Sequence, residues 1–162
     1  MYQKIGDRIN KTMENLTKLN VIKDLVSKRF LFLENEEGYK LTSIIFENLE
    51  NSESDKYIDL PSLSVFYSNL KINRKIEIDV TITNIPFLYI RNINTRENIN
   101  NDDYFTFINK SKFSFYELPG QNLMEKLESF FTLITKEFRG ALHNAVNGNE
   151  WIDVPEDWGP YK

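Results

Sequence analysis

The run KIEIDVTIT, residues 75–83, decides the fold of this chain. Ile76, Ile78, Val80 and Ile82 alternate with Glu77, Asp79, Thr81 and Thr83. A period of two puts the apolar side chains on one face and the polar ones on the other, so this is a strand with one face buried and one wet. Its flanks extend the sheet. FLYIRNI (87–93) continues the strand beyond Pro86 or forms the next one. YIDLPSLSVFYS (57–68) reads as a strand that Pro61 bends or confines to an edge.

Two hairpins are expected further out. Phe30-Leu31-Phe32-Leu33 and Tyr39 to Phe46 flank the turn Asn35-Glu36-Glu37-Gly38. Tyr104 to Ile108 and Phe113 to Glu117 flank Asn109-Lys110-Ser111. Residues 47–56 (ENLENSESDK) and 94–103 (NTRENINNDD) read as loops.

The two ends of the chain change period. From residue 2 to about 29, Ile5, Ile9, Met13, Leu16, Leu19, Ile22, Val26 and Phe30 recur at steps of three and four, which is a helical stripe. Asn20 is its weakest point. Pro119-Gly120 ends the sheet region, and residues 122 to about 146 read as one long helix carrying Leu123, Leu127, Phe130, Ile134, Phe138, Leu142 and Ala145. Gly140 interrupts its interior and Gly148 supplies a stop. Residues 149–162 form an irregular acidic and aromatic tail. The expectation is a single α+β domain over 1–162: an antiparallel sheet of about five to seven strands, flanked on one face by an N-terminal helical segment and a long C-terminal helix.

Composition narrows the chemistry. The chain has 162 residues, no Cys and one His, with 20 Lys plus Arg against 24 Asp plus Glu. No thiol nucleophile, disulfide or cysteine zinc site is available. There is no GxGxxG, phosphate loop or GxSxG, and the six Gly stand singly. Neither a catalytic centre, a cofactor nor a metal is therefore expected. The N-terminus lacks the apolar core of a signal peptide, and no run is long enough to cross a membrane. A cytoplasmic protein is the expectation.

Three constellations bear on chemistry. His143 lies near the end of the C-terminal helical region, where a cation suits the helix dipole, with no motif supplying a nucleophile or an orienting carboxylate. Glu77 and Asp79, two apart on a strand, share a face, as carboxylates holding a metal would. The alternation makes them the wet face of a strand, and Asp102-Asp103 read as loop. A carboxylate-dependent enzyme would need two or more of these four in one deep pocket. Leu25 to Thr42 is similar to a winged-helix protein's helix and wing, although its tip, Glu34 to Glu37, would repel phosphates.

Charge is unevenly placed. Residues 1–33 carry +4, residues 34–59 carry -6, residues 60–149 carry +1 and residues 150–162 carry -3. The acidic stretch ENEEGYK and the ending GNEWIDVPEDWGPYK bring acidic and aromatic side chains together. In that general character the chain resembles the immunity proteins of bacterial polymorphic and contact-dependent toxin systems. The resemblance implies a non-enzymatic inhibitor that binds and neutralises one cognate toxin domain in the cytoplasm. Such toxins are often nucleases with basic clefts. Partner contacts are then expected at Glu34, Glu36, Glu37, Asp153, Glu156, Asp157, Trp158 and Tyr161, with nucleic acid disfavoured as a ligand and no membrane involved. Trp151 and Ile152 are expected to fold back over the core.

Overall fold

The computed structural model describes residues 2–51, 59–82, 86–111 and 113–155. In chain order these form α1 (Tyr2–Asn35), β1 (Lys40–Glu47), β2 (Ser62–Asn69), β3 (Arg74–Thr81), β4 (Phe87–Asn92), β5 (Asn98–Asn100), α2 (Asn101–Asn109), α3 (Leu123–Arg139) and α4 (His143–Asn147), with a single 3-10 turn at Phe115–Glu117. The five strands make one antiparallel sheet in sequence order. The architecture is α+β. Among the described residues no helix is long and apolar enough to cross a membrane.

The alternation of β3 does what its period dictates. Ile76 lies between Tyr67 and Ile90, Ile78 between Val65 and Leu88, and Val80 beside Leu63. All of these are buried in one core that also takes in α1 and α3. Leu19, Ile22, Val26, Phe30 and Leu33 supply the α1 side of it, and Leu127, Phe130, Phe131, Ile134 and Phe138 the α3 side. Phe30 meets Phe131 edge-on at 5.5 Å and Phe138 at 6.1 Å. The N-terminal part of the α1 stripe lies outside this core, with Ile5, Ile9 and Met13 exposed.

Four expectations are corrected. Phe30 to Leu33 is not a strand, because α1 continues to Asn35. Phe30 and Leu33 fall four and three steps beyond Val26 and Phe30, and burial on that same helical face outweighs the β-like look of the run. Gly38, at φ +70°, then reverses the chain so that the Tyr39 N–H donates to Leu33 O at 2.9 Å. With Phe30 to Leu33 helical, the hairpin that a winged-helix reading requires is absent from this segment.

The second expected hairpin is α2 followed by the 3-10 turn. Asn100 caps α2 by accepting from the Asp103 N–H at 2.9 Å, and Asp102 and Asp103 suit the positive end of its dipole. The residues read as loop at 94–103 also contain β5. The long C-terminal helix is two helices. Gly140 leaves the helical region (φ -111°, ψ -112°), and the chain restarts at His143. Periodicity runs through the break because Leu142, Ala145 and Val146 are buried in the same core. Gly148, at φ +83°, ends α4 as expected.

A helix as short as α4 is held by its neighbours. The Tyr39 hydroxyl donates to Val146 O at 2.5 Å, and Arg74 Nε donates to Ala145 O at 2.8 Å. Both contacts are buried and satisfy carbonyls that a helix end leaves open. Trp151 stacks over the Arg74 guanidinium at 5.1 Å, and with Ile152 it packs on the core.

Phe138 is fully buried on the α3 face that meets Phe30. Phe138→Ala is expected to cost about 3–5 kcal/mol in denaturant unfolding, the range for removing a fully packed phenyl ring. A loss well below that would show that this face does not carry the core.

Candidate functional site

Helices cover one side of the sheet, so alternate residues of β2, β3 and β4 face outward. Cross-strand register groups them. Phe66, Glu77 and Tyr89 lie side by side on neighbouring strands, as do Ser64, Asp79 and Phe87, and as do Ser68, Lys75 and Arg91.

Contacts between them are specific. Arg91 Nε donates to Glu77 Oε2 at 2.9 Å, and the Arg91 guanidinium stacks on the Tyr89 ring at 4.4 Å. Phe87 and Tyr89 are near-parallel, 13° apart, with ring centres separated by 6.3 Å. Lys75 Nζ sits 4.5 Å from the centre of the Phe66 ring. Aromatic side chains and charges therefore form one ordered surface.

Asp79 departs from that order. Its Oδ1 is buried and has no hydrogen-bond partner among the described residues. Burial holds its carboxyl above the usual carboxylate range, and Glu77 and Glu47 push the same way, against a hydrogen bond from Ser64 and the charge of Arg91. The Tyr89 phenol is also raised, first by burial and then by the charge of Asp79, with smaller upward pushes from Glu77 and Asp103 and an opposing one from Arg91.

Asp103 reaches this rim because α2 is fixed to β4. Asn101 Oδ1 accepts from the Leu88 N–H at 2.7 Å, and its Nδ2 donates to Pro86 O at 3.3 Å. Asn100 Nδ2 donates to Asp103 Oδ2 at 2.6 Å. Glu77 thus lies beside Tyr89 on the neighbouring strand, and Asp79 and Asp103 are near enough for their charges to act on its phenol. The alternation around β3 placed Glu77 and Asp79 on one face. Nothing in the local sequence marks Tyr89; Asp103, grouped with Asp102 as a loop carboxylate, lies instead in the first turn of α2, and the signal for that was an Asn three residues ahead of it, the spacing of a helix cap.

The acidic residues expected to meet a partner are placed differently. Glu34 is exposed on the last turn of α1. Glu36 pairs with Arg139 at 2.7 Å, and Glu37, largely covered, faces His143 Nε2 at 3.2 Å. These two carboxylates stand at the negative end of α1, where the dipole disfavours them, and the cation and the imidazole offset that. His143 ties α4 to the α1–β1 turn through Glu37 and also lies 3.5 Å from Asn147 Nδ2. Asp153 is exposed. Glu156, Asp157, Trp158 and Tyr161 lie outside the described residues.

A cavity of about 470 Å³ opens between α1 and the start of α3, lined by Val21, Ile22, Ile82, Leu123 and Met124 among others, and none of Glu77, Asp79, Asp102 or Asp103 borders it. Among the described residues no group of three or more His, Asp and Glu is placed to hold a metal ion. No protein-family model, curated protein or solved structure matches the chain.

A carboxyl held above its usual range binds its proton more tightly in the fold than in the unfolded chain. The fold therefore loses stability as pH rises through the carboxylate range and Asp79 ionises. Asp79→Asn keeps the size and drops the charge, so it is expected to raise Tm at pH 7 and to change it little at pH 3. Thermal unfolding at the two pH values checks this, and a lower Tm at pH 7 would mean that the carboxylate is well satisfied.

Proposed function

We propose that this protein is an immunity protein, which binds and neutralises a cognate toxin domain in the bacterial cytoplasm and does no chemistry of its own. The open sheet face around Tyr89 is its contact surface. The observation that carries this reading is the buried Asp79 Oδ1, without a hydrogen-bond partner among the described residues and set in a face of aromatic side chains. An unsatisfied carboxylate oxygen costs stability in the isolated chain, and a cation delivered by a partner would remove that cost.

The remaining chemistry supports the same reading. Tyr is enriched at binding hot spots because it buries a large area with few rotatable bonds. Asp79 and Asp103 add negative charge beside the Glu77–Arg91 pair, which suits the basic cleft of a toxin that handles nucleic acid and would repel a phosphate backbone. Glu36 and Glu37, already paired within the chain, contribute to the structure of the α1–β1 turn rather than to the contact.

The test is co-expression with a toxic domain encoded beside this chain's gene, combined with binding kinetics on the purified pair. Wild-type protein is expected to restore growth. Tyr89→Ala is expected to weaken binding by roughly thirtyfold, the scale of a hot-spot truncation. Growth that wild type fails to restore would overturn the reading. Unchanged binding by Tyr89→Ala, with loss in Glu34→Lys or Trp158→Ala, would move the contact to the acidic end of α1 and the tail.

A further inference from the structure

The two edges of the sheet are not equivalent. β5 is three residues long and is followed directly by α2, which packs on β4 and β5. Short length and cover are the usual ways in which an edge is kept from pairing. β1 is eight residues long, has no Pro, and carries charge only at its ends, Lys40 and Glu47. Leu41 is 39% exposed and Ile45 42%. Among the described residues, no backbone group pairs with β1 on the side away from β2.

We propose that β1 pairs with β1 of a second copy of this chain, antiparallel and centred on Ile45, to join two sheets into one. Self-complementarity singles out that occupant. A register shift between Leu41 and Ser43 bends the Lys40 end, leaving Ser43 to Glu47 regular. In that segment Ile44 and Phe46 share the core face of Val65 and Leu63, while Ser43, Ile45 and Glu47 share the open face. Pairing about Ile45 sets Ile45 against Ile45 of the second copy, Ile44 against Phe46 and Ser43 against Glu47. Every pair then matches in face, none opposes like charges, and the central ones are apolar and aromatic pairs of the kind that stabilise sheets.

The direction follows from the same residues. Antiparallel pairing about Ile45 sets Glu47 against Ser43 at both ends of the contact. An in-register parallel arrangement would bring Glu47 beside Glu47 of the second copy. The twofold contact closes on itself and stops at a dimer. The pairing stands apart from the toxin reading, and its consequence for any partner is that two Tyr89-centred surfaces lie on one continuous face.

The absence of cysteine permits a direct test on the full chain. Sedimentation equilibrium of the wild type is expected to show a reversible monomer–dimer equilibrium between micromolar and millimolar concentration. Ile45→Lys sets two ammonium groups face to face and is expected to weaken the dimer by on the order of a hundredfold. In Ile45→Cys the two thiols lie on residues roughly 4.5–5.5 Å apart between Cα atoms, within reach of a disulfide, so mild oxidation is expected to cross-link it. Leu41→Cys sits about 27 Å from its counterpart in this register and is expected to stay monomeric under the same oxidation. A wild type that is monomeric throughout would overturn the proposal. So would a dimer that Ile45→Lys leaves intact, or equal cross-linking of the two cysteine variants.

Discussion

Phe30 packed between Phe131 and Phe138 is the contact on which the other elements depend. It joins the C-terminal half of α1 to α3 across the buried face of the sheet. Because Phe30 and Leu33 must stay on the face that Val26 begins, the helix cannot end before them. The turn is pushed out to residues 36–38, and β1 starts only at Lys40. The same extension carries Glu36 and Glu37 to where Arg139 and His143 wait. One aromatic junction thus sets a helix length, the start of an edge strand and the partners of an acidic turn.

Away from that junction, side-chain amides, one phenol and one guanidinium also hold the chain. Asn15 Nδ2 donates to Leu49 O at 2.7 Å and Asn51 O at 3.0 Å, pinning the chain beyond β1 to α1. Asn69 Nδ2 donates to Glu37 O at 2.9 Å. Asn101 fastens α2 to β4, and Arg74 with Tyr39 fastens α4. Each places a buried donor or acceptor on a main-chain group that secondary structure leaves open, which is the arrangement burial demands. Three buried side-chain atoms lack a partner among the described residues, Asn15 Oδ1, Arg29 Nε and Asp79 Oδ1, and of these Asp79 alone lies on the open face of the sheet.

The open face also shows how a sheet with one covered side acquires a surface of fixed geometry. Cross-strand register holds Phe66, Glu77 and Tyr89 in one line, and the Glu77–Arg91 pair and the Arg91–Tyr89 stack restrict the side chains within it. A contact surface built on strands loses less freedom on binding than one built on loops. The residues that set it are on the wet side of the strands whose dry side makes the core.

The sequence by itself determined whatever repeats within one element. The alternation at 74–81 placed Ile76, Ile78 and Val80 inward and Glu77 and Asp79 outward, and the three- and four-residue steps marked the buried faces of α3 and of α1 from Leu19 onward, though not at Ile5, Ile9 and Met13. These are properties of a few neighbouring residues, so local periodicity suffices to read them. Tertiary structure alone decided what depends on distant partners. Phe30 to Leu33 is helical because Phe131 and Phe138 lie about a hundred residues away. The run from Tyr104 is helical because Asn100 caps it and Asn101 anchors it to β4. The helical pattern over 122–146 hides a break at Gly140, because both halves bury the same core. Glu36 and Glu37 looked free in a run of acid, yet their partners, Arg139 and His143, are 103 and 106 residues along the chain. A charge's availability is set by what the fold brings beside it, and no local pattern encodes that.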